Sequence, residues 1–473
     1  MKVMEKSSLF YKYINIIEQI LYKMAGVCYN KQVLKGGVTV KQYRVGLYTL
    51  GCKVSQYETQ AIAEEFEKQG FLLAQRGEPC DVYVINTCTV TAEADRKCRQ
   101  CIRRVLKTNP QALVMVTGCY SQTSAEEIAK IQGVGYISGT YGKMQLAERA
   151  KELLASPPNA PVVCVTDLAD APFEKMHICR SPRTRAYVKI EDGCECRCTY
   201  CTIPNARGPV RSKAPEDVMR EVETLIAGGT REVVLTGIET ASYGVDLDGT
   251  RLIDLLEELD ARGLADRIRL GSLTPEVVTE DFATRLGKLK SITPHFHLSM
   301  QSGSDRVLAM MKRRYNTRQA LAAMDRIRRV MPRVQFTTDL MVGFPGETEE
   351  MFSETLEFVK QARFLSMHVF AYSRRKGTPA DTYADQIAED EKSRRSHVLM
   401  TLGDKIRDEI LDEIVGRKEP LRVLLETKKG DVYTAHSDEF IEVHLAAPTG
   451  AKQGDLLDVT PTRHQDGVLY VGI

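Results

Sequence analysis

No sign of charge dominates this chain: 65 lysines and arginines stand against 63 aspartates and glutamates, a formal net charge of +2. A global positive field is thereby excluded, and any contact with nucleic acid has to come from local basic patches. An unbroken apolar run of bilayer length is missing too. The most apolar stretch, residues 9–27, is interrupted by Lys12, Asn15, Glu18, Gln19 and Lys23, so no membrane partner is expected. Its broken core, with no small-x-small cleavage site ahead of Cys28, argues equally against a signal peptide. Residues 1–41 are read as an N-terminal extension, helical or disordered: an amphipathic or partner-docking segment, or the by-product of an upstream start codon. Internal repeats and low-complexity tracts are absent as well. What remains is a globular chain whose 473 residues, 43% of them hydrophobic, suffice for two or three domains.

Cysteine, by contrast, is plentiful, with 13 residues. In a large charged chain this points to metal or cluster ligation in a reducing cytoplasm, not to a disulfide framework. The run Gly193-Cys194-Glu-Cys196-Arg-Cys198-Thr-Tyr-Cys201 contains a C-x3-C-x2-C spacing. Three thiolates on one tight loop can each hold an iron of a 4Fe-4S cluster and leave the fourth iron open to a small molecule. Zinc would need a fourth ligand. The surroundings offer only the crowded Cys196 and no histidine.

The chain reads as α/β in three segments. Residues 42–156 alternate strands at Tyr43–Gly51, Asp81–Thr87, Ala112–Gly118 and Val134–Ser138 with helices, a small parallel α/β domain. Ser55-Gln-Tyr-Glu58 is expected to form a capping box at the start of a helix that stops at Gly70. Cys52, Cys88 and Cys119 each fall at the carboxyl end of a predicted strand. Those ends share one edge of a parallel sheet, so residues 36 and 31 apart in sequence are expected to meet. Prolines at 157, 158 and 161 mark a linker, taken as residues 157–179. Residues 180–412 hold six strand–helix units, near Tyr187–Ile190, Glu232–Thr236, Ile268–Ser272, His295–Met300, Val334–Val342 and Met367–Tyr372. They fit a partial (β/α)6 TIM-like barrel, and the cysteine loop follows its first strand, at the face where such barrels carry their sites. From 413 to 473 short β-like runs at Leu421–Leu425, Ile441–His444 and Leu456–Val459 suggest a small all-β barrel.

These features together resemble the methylthiotransferase family of radical S-adenosylmethionine (SAM) enzymes. The resemblance covers the chain from about Tyr43 onward. It rests on Thr49-Leu-Gly-Cys52-Lys-Val-Ser-Gln-Tyr-Glu-Thr59, Asn86-Thr-Cys88-Thr-Val-Thr91, Gly118-Cys119-Tyr120, Leu298-Ser-Met-Gln-Ser-Gly-Ser-Asp305, Asp339-Leu-Met-Val-Gly-Phe-Pro-Gly-Glu-Thr348 and Tyr372-Ser-Arg-Arg-Lys-Gly-Thr-Pro-Ala380. Within the family, the Cys52 and Cys88 blocks look most like the branch acting on threonylcarbamoyladenosine at position 37 of tRNA. Other branches modify isopentenyladenosine or an aspartate of a ribosomal protein. Ser55 stands where asparagine is usual, and Glu239 where this branch more often has another polar residue.

The resemblance implies an N-terminal methylthiotransferase domain with a 4Fe-4S cluster on Cys52, Cys88 and Cys119. It also implies a radical SAM barrel with a SAM-binding cluster on Cys194, Cys198 and Cys201, and a C-terminal TRAM barrel. The reaction it implies replaces the hydrogen on carbon 2 of the adenine by a methylthio group, with SAM as both methyl donor and radical source. That C–H bond has no acidic proton, so polar side-chain catalysis does not suffice and the cofactor carries the chemistry. Glu239, Gln301 and Asp339, at or in barrel strands, are candidate SAM contacts or ordinary capping and loop residues. The expected partners are tRNA, SAM and an electron donor such as flavodoxin or ferredoxin. Phosphate contacts are expected from Arg96, Lys97, Arg99, Arg103, Arg104 and Lys107 on one helix, and from Lys312-Arg313-Arg314 and Arg374-Arg375-Lys376 on barrel loops, unless these are simply solvated. From Arg417 on, seven basic residues against nine acidic leave the TRAM-like segment to bind RNA by shape or through one face. Cys28, Cys80, Cys98, Cys101, Cys164, Cys179 and Cys196 are read as incidental thiols. The rival reading from another class is a non-catalytic iron–sulfur protein that binds RNA or senses redox state.

Overall fold

A computed structural model describes residues 42–75, 77–446 and 448–471; the extension 1–41 lies outside the described residues. The N-terminal domain is built on β1 (Arg44–Thr49), β2 (Leu72–Leu73), β3 (Val82–Thr87), β4 (Leu113–Gly118), β5 (Val134–Ser138) and β6 (Val162–Cys164). All pairings are parallel, in the order β2-β1-β3-β4-β5-β6. Val82, Val84 and Ile85 are buried on both faces of the central strand, as a sheet covered by helices on each side requires. The chain order reverses between β1 and β3, so the helices after these strands leave toward opposite faces and open a crevice at their carboxyl ends. Strand β6 comes from residues that the sequence suggests as linker.

Helix α1 (Lys53–Lys68) corrects the expected capping box. Its N-cap is Cys52, without a side-chain cap, and Ser55 lies inside the first turn. Glu58 is 0% exposed because three basic side chains capture its carboxylate, so it is not available to the backbone. Helix α2 (Ala92–Thr108) does begin with a side-chain cap, Thr91 accepting from the Ala94 amide. Helix α3 (Cys119–Ala129) follows β4 directly.

The six barrel strands lie where the sequence puts them. They are β7 (Arg185–Lys189), β10 (Glu232–Thr236), β11 (Arg267–Leu270) continued by β12 (Ser272–Leu273), β13 (His295–Gln301), β14 (Gln335–Val342) and β15 (Ser366–Ala371), all parallel. The third strand is broken at Gly271, where a Cβ would come within 3.1 Å of the Leu235 carbonyl; β11 pairs with β10 and β12 with β13. Between β7 and β10, β8 (Glu191–Asp192) and β9 (Arg211–Ser212) form an antiparallel clamp at the base of the cysteine loop. Gly193 is required at that base. Its φ is +91°, and a Cβ there would sit 1.9 Å from the Pro209 oxygen.

The C-terminal strands are β16 (Leu421–Lys429), β17 (Val432–Ser437), β18 (Glu442–Ala446), β19 (Leu456–Val459), β20 (Pro461–Gln465) and β21 (Val468–Val471). They make one curled six-stranded sheet, ordered β19-β16-β17-β18-β21-β20. The boundary expected at 412/413 falls within the continuous helix Glu389–Arg417. The β17–β18 turn closes the barrel at the amino ends of its strands. Ser437 and Asp438 carbonyls accept from Arg267 and Arg269, and the Phe440 ring lies 4.8 Å from both the His295 ring and the Arg269 guanidinium. Glu232, 0% exposed, pairs with Arg267 at 2.9 Å, Arg269 at 3.0 Å and Arg185 at 3.6 Å. Burial opposes its charge, but the three guanidiniums outweigh that and hold its carboxyl well below the usual range. Glu232→Gln leaves the buried Arg267 and Arg269 short of their shared anion, and we expect a loss of about 3–5 kcal/mol in the denaturant unfolding of the full chain.

Candidate functional site

The carboxyl ends of β1, β3 and β4 carry Cys52, Cys88 and Cys119 to the crevice at the switch point, as the sequence suggests. Cys88 and Cys119 are buried and Cys52 is exposed at the helix start. A Cβ on Gly51 would lie 3.2 Å from the Cys88 Cβ, so the β1 and β3 ends are in direct contact. Burial pushes the Cys88 thiol up to about 12, with Cys119 and Cys52 adding to the shift as close neighbours. Cys98 and Cys101 lie in the core under α2, Cys98 donating to the Cys88 carbonyl at 3.4 Å, which fits their reading as incidental.

The second cysteine loop leaves β8 and returns through β9. The Cys194 amide donates to the Gly208 carbonyl at 3.0 Å and the Cys201 amide to the Cys198 carbonyl at 3.0 Å. Two donors reach sulfur: Arg313 Nη1 lies 3.2 Å from Cys198 Sγ, and the Ile203 amide 3.4 Å from Cys201 Sγ. Arg313 also donates to the Ser299 carbonyl at 3.0 Å, tying the loop to the end of β13. Such donors on sulfur suit thiolates, the form that ligates iron. The sulfurs of Cys194 and Cys196 and a Glu239 oxygen lie within 4.8 Å of one another. This grouping includes the Cys196 that the sequence reading sets aside. A hydrogen bond from Cys194, against the cost of burial, holds Cys196 down at about 6.

The three candidate cofactor contacts occupy two levels of the barrel. Glu239 follows β10, its amide donating to Glu191 Oε2 at 2.8 Å; burial, with Cys196 beside it, pushes its carboxyl up to about 8. Gln301 ends β13 with φ +68° and is 8% exposed, beside a register shift in the β13–β14 pairing. A non-glycine residue held in that region at a strand end marks a backbone shaped for something other than stability. Asp339 lies deeper, inside β14, 3.3 Å from both His297 and His368. Burial opposes its charge, but hydrogen bonds from the two histidines outweigh it and hold the carboxyl below its usual range.

The basic clusters expected on the barrel loops need correction, because their central arginines turn inward. Arg313 is taken by Cys198, and Arg375 donates to Asp95 at 2.7 Å and Thr89 at 2.6 Å in the N-terminal domain. Buried acceptors outcompete water for a guanidinium whenever the fork fits. On α2, Arg103, Arg104 and Lys107 are exposed, whereas Arg96 pairs with Glu93 and Arg99 with Tyr120.

No motif announces the ion network that joins the two cysteine regions. Glu58 of α1 accepts from Arg207 at 2.5 Å and Lys189 at 3.0 Å and pairs with Lys143 at 2.9 Å, while Lys189 reaches Asp192 at 2.6 Å. Arg207 Nε donates to Cys119 Sγ at 3.1 Å. Together with Arg375 and the bond from the Thr140 hydroxyl to the Ala206 carbonyl at 2.9 Å, this network sets the N-terminal cysteines against the carboxyl-end mouth of the barrel. The two cysteine regions are thereby tied together through Arg207, Asp192 and the Ala206 carbonyl.

Comparison with known proteins agrees with this arrangement. Residues 188–359 match the Radical SAM superfamily and residues 44–139 the family described as "Uncharacterized protein family UPF0004". A Bacillus subtilis protein named threonylcarbamoyladenosine tRNA methylthiotransferase MtaB is 38% identical over 84% of this chain and 89% of its own length. Its Thermotoga maritima namesake is 33% identical over 84% and 90%. A tRNA-2-methylthio-N(6)-dimethylallyladenosine synthase of Carboxydothermus hydrogenoformans is 34% identical over 77% and 84%. Among solved structures, the cobalamin- and cluster-bound radical SAM methyltransferase TsrM of Kitasatospora setae superposes with a TM-score of 0.55 at 16% identity, over 72% of this chain and 77% of that one, a likeness of fold alone. With its two cysteine regions on one barrel mouth, both domain matches in order and full-length relatives at this identity, the chain belongs to the radical SAM methylthiotransferase family.

Proposed function

We propose that this protein methylthiolates carbon 2 of threonylcarbamoyladenosine at position 37 of tRNA, with one 4Fe-4S cluster on Cys194, Cys198 and Cys201 and a second on Cys52, Cys88 and Cys119. The observation that carries the reading is the joining of both cysteine regions over one barrel mouth by a buried ion network. Substrate choice rests on relatives at 38% and 36% identity that are named for threonylcarbamoyladenosine. The donor set supports the second cluster. Arg207, Lys143, Lys189 and Arg211 are buried together with Glu58, Asp192 and Glu191, and Arg207 Nε donates to Cys119 Sγ at 3.1 Å. A buried guanidinium on the sulfur favours the thiolate of Cys119, the form that ligates iron, against the cost of burial.

Bound there, the barrel cluster and SAM supply a radical able to break a C–H bond that no side chain could deprotonate. The chain's own residues then hold and shield. Arg313 neutralises and orients Cys198, while Gln301 and Glu239 offer polar contacts to SAM at the mouth. Asp339 with His297 and His368 forms a polar floor below it. Arg375 closes the side of the mouth nearest Cys88. Exposed Arg103, Arg104 and Lys107 meet the tRNA backbone. We place the reaction in the cytoplasm, with flavodoxin or ferredoxin as the electron source; no described helix is long and apolar enough to cross a membrane.

The test is anaerobic incubation of the reconstituted protein with SAM, dithionite and tRNA bearing threonylcarbamoyladenosine, followed by mass spectrometry of the nucleosides. A methylthio gain on that nucleoside is the expected result. Gain only in a parallel reaction with tRNA bearing isopentenyladenosine would transfer the chain to the other tRNA branch, and absence of both deoxyadenosine and product with clusters intact would favour the non-catalytic reading. For the RNA surface, Arg103→Glu with Lys107→Glu should weaken tRNA binding in filter assays and reduce the slope of log affinity against log salt by about one per lost phosphate contact. An unchanged slope would remove α2 from the interface.

A further inference from the structure

Arg207 joins Cys119 of the N-terminal domain to Glu58 of α1 and to Asp192 at the base of the barrel's cysteine loop. It ends the short helix Ile203–Arg207, whose N-cap Thr202 directly follows Cys201, so its position is carried rigidly from the barrel's cysteine loop. Its guanidinium is 0% exposed and fills its donor fork. Nε reaches Cys119 Sγ at 3.1 Å; Nη1 reaches Glu58 at 2.5 Å and both Asp192 oxygens at 3.3 Å; Nη2 reaches Glu58 Oε2 at 3.3 Å. Glu58 lies six residues beyond Cys52 on α1, and Asp192 two residues before Cys194. The backbone at this point is locked as well. Gly208 follows with φ +69° and no room for a side chain, a Cβ there meeting the Leu168 Cβ at 2.7 Å.

We propose that Arg207 is a positioning residue that fixes the spacing of the two cysteine regions and sets the electronic environment of the N-terminal cluster through its bond to the Cys119 sulfur. The inference rests on the two-cluster reading above. Methylthio transfer needs the group delivered from one cluster to meet the radical generated at the other, so their separation has to be held to a fraction of an ångström. A charge-assisted donor on a ligand sulfur also moves electron density at the cluster it ligates. Lysine could keep the charge but not the planar fork that reaches sulfur and two carboxylates at once.

The test uses the full reconstituted chain carrying Arg207→Lys or, separately, Glu58→Gln. The first removes the bond to sulfur and the second removes the charge that aims it. Iron and sulfide are measured first. The N-terminal cluster is then read by EPR after reduction in a Cys198→Ala background, where the barrel loop lacks a ligand, and product is measured per deoxyadenosine formed in the otherwise unaltered chain. We expect both variants to shift the EPR signal of the N-terminal cluster, and Arg207→Lys to lower product per deoxyadenosine at least about tenfold, the range found when outer partners of metal ligands are removed. Should Arg207→Lys fail to load the N-terminal cluster, Glu58→Gln decides: a loaded variant with the parent spectrum and parent product ratio overturns the proposal. Full iron with unchanged spectra in both variants overturns it alone. A parent protein that binds only about four irons overturns the two-cluster reading, and this proposal with it.

Discussion

Cys198→Ala is expected to abolish reductive cleavage of SAM, with deoxyadenosine formation falling by at least about a thousandfold under dithionite. The size of the effect follows from the type of chemistry. A C–H bond without an acidic proton leaves side chains no alternative route, so loss of the group that generates the radical leaves no residual polar catalysis. Arg313, whose Nη1 lies 3.2 Å from Cys198 Sγ, loses its sulfur but keeps the Ser299 carbonyl and the Tyr315 hydroxyl. The barrel should therefore stay folded. Iron analysis and EPR should still report the N-terminal cluster. Retained cleavage of SAM would overturn the assignment of that loop.

Cys52→Ala is expected to separate the two half-reactions: deoxyadenosine should still form, and the methylthio nucleoside should drop by at least about a hundredfold. Cys52 is the best of the three N-terminal cysteines for this purpose. It is exposed, makes no side-chain cap at the start of α1, and has only a 3.9 Å contact with the Ser55 hydroxyl. Its replacement should change stability by no more than about 0.5 kcal/mol. Cys119→Ala would in addition strip Arg207 of its sulfur partner and confuse loss of a ligand with a buried unsatisfied donor, worth about 1–3 kcal/mol by itself. Mass spectrometry of tRNA nucleosides, with deoxyadenosine quantified from the same reaction, reads both arms. Product at the parent level from Cys52→Ala would remove the N-terminal cysteines from sulfur delivery.

The difference between these predictions and the Arg207 proposal marks what one chain can reveal before it folds. Periodicity and turn residues gave the parallel N-terminal sheet, the six barrel strands and the placement of each cysteine at a strand's carboxyl end, because side-chain alternation and the crossover rule act locally. The Ser55–Glu58 pattern matches a capping box without forming one, for an equally local reason. An acidic residue three positions on from a small polar one looks the same whether it caps a helix or meets cations from elsewhere. Lys312-Arg313-Arg314 and Arg374-Arg375-Lys376 looked like phosphate contacts, yet the central arginine of each turns inward to Cys198 or to Asp95 and Thr89. His297 and His368, flanking Asp339, gave no motif of their own.

The sequence by itself thus determined the class of chemistry. Three thiolates at C-x3-C-x2-C spacing specify their ligand geometry within one loop, and three further cysteines at equivalent βα junctions need only the parallel sheet to share an edge. Tertiary structure alone decided how the two sets face each other. That depends on Glu58 meeting Lys189 and Arg207 from 131 and 149 residues away, and on Arg207 reaching back 88 residues to Cys119. Pairings over such distances carry no period and no spacing rule. They exist because charges buried together in a low-dielectric interior are tolerable only when each finds its partner, and the packed fold selects those partners.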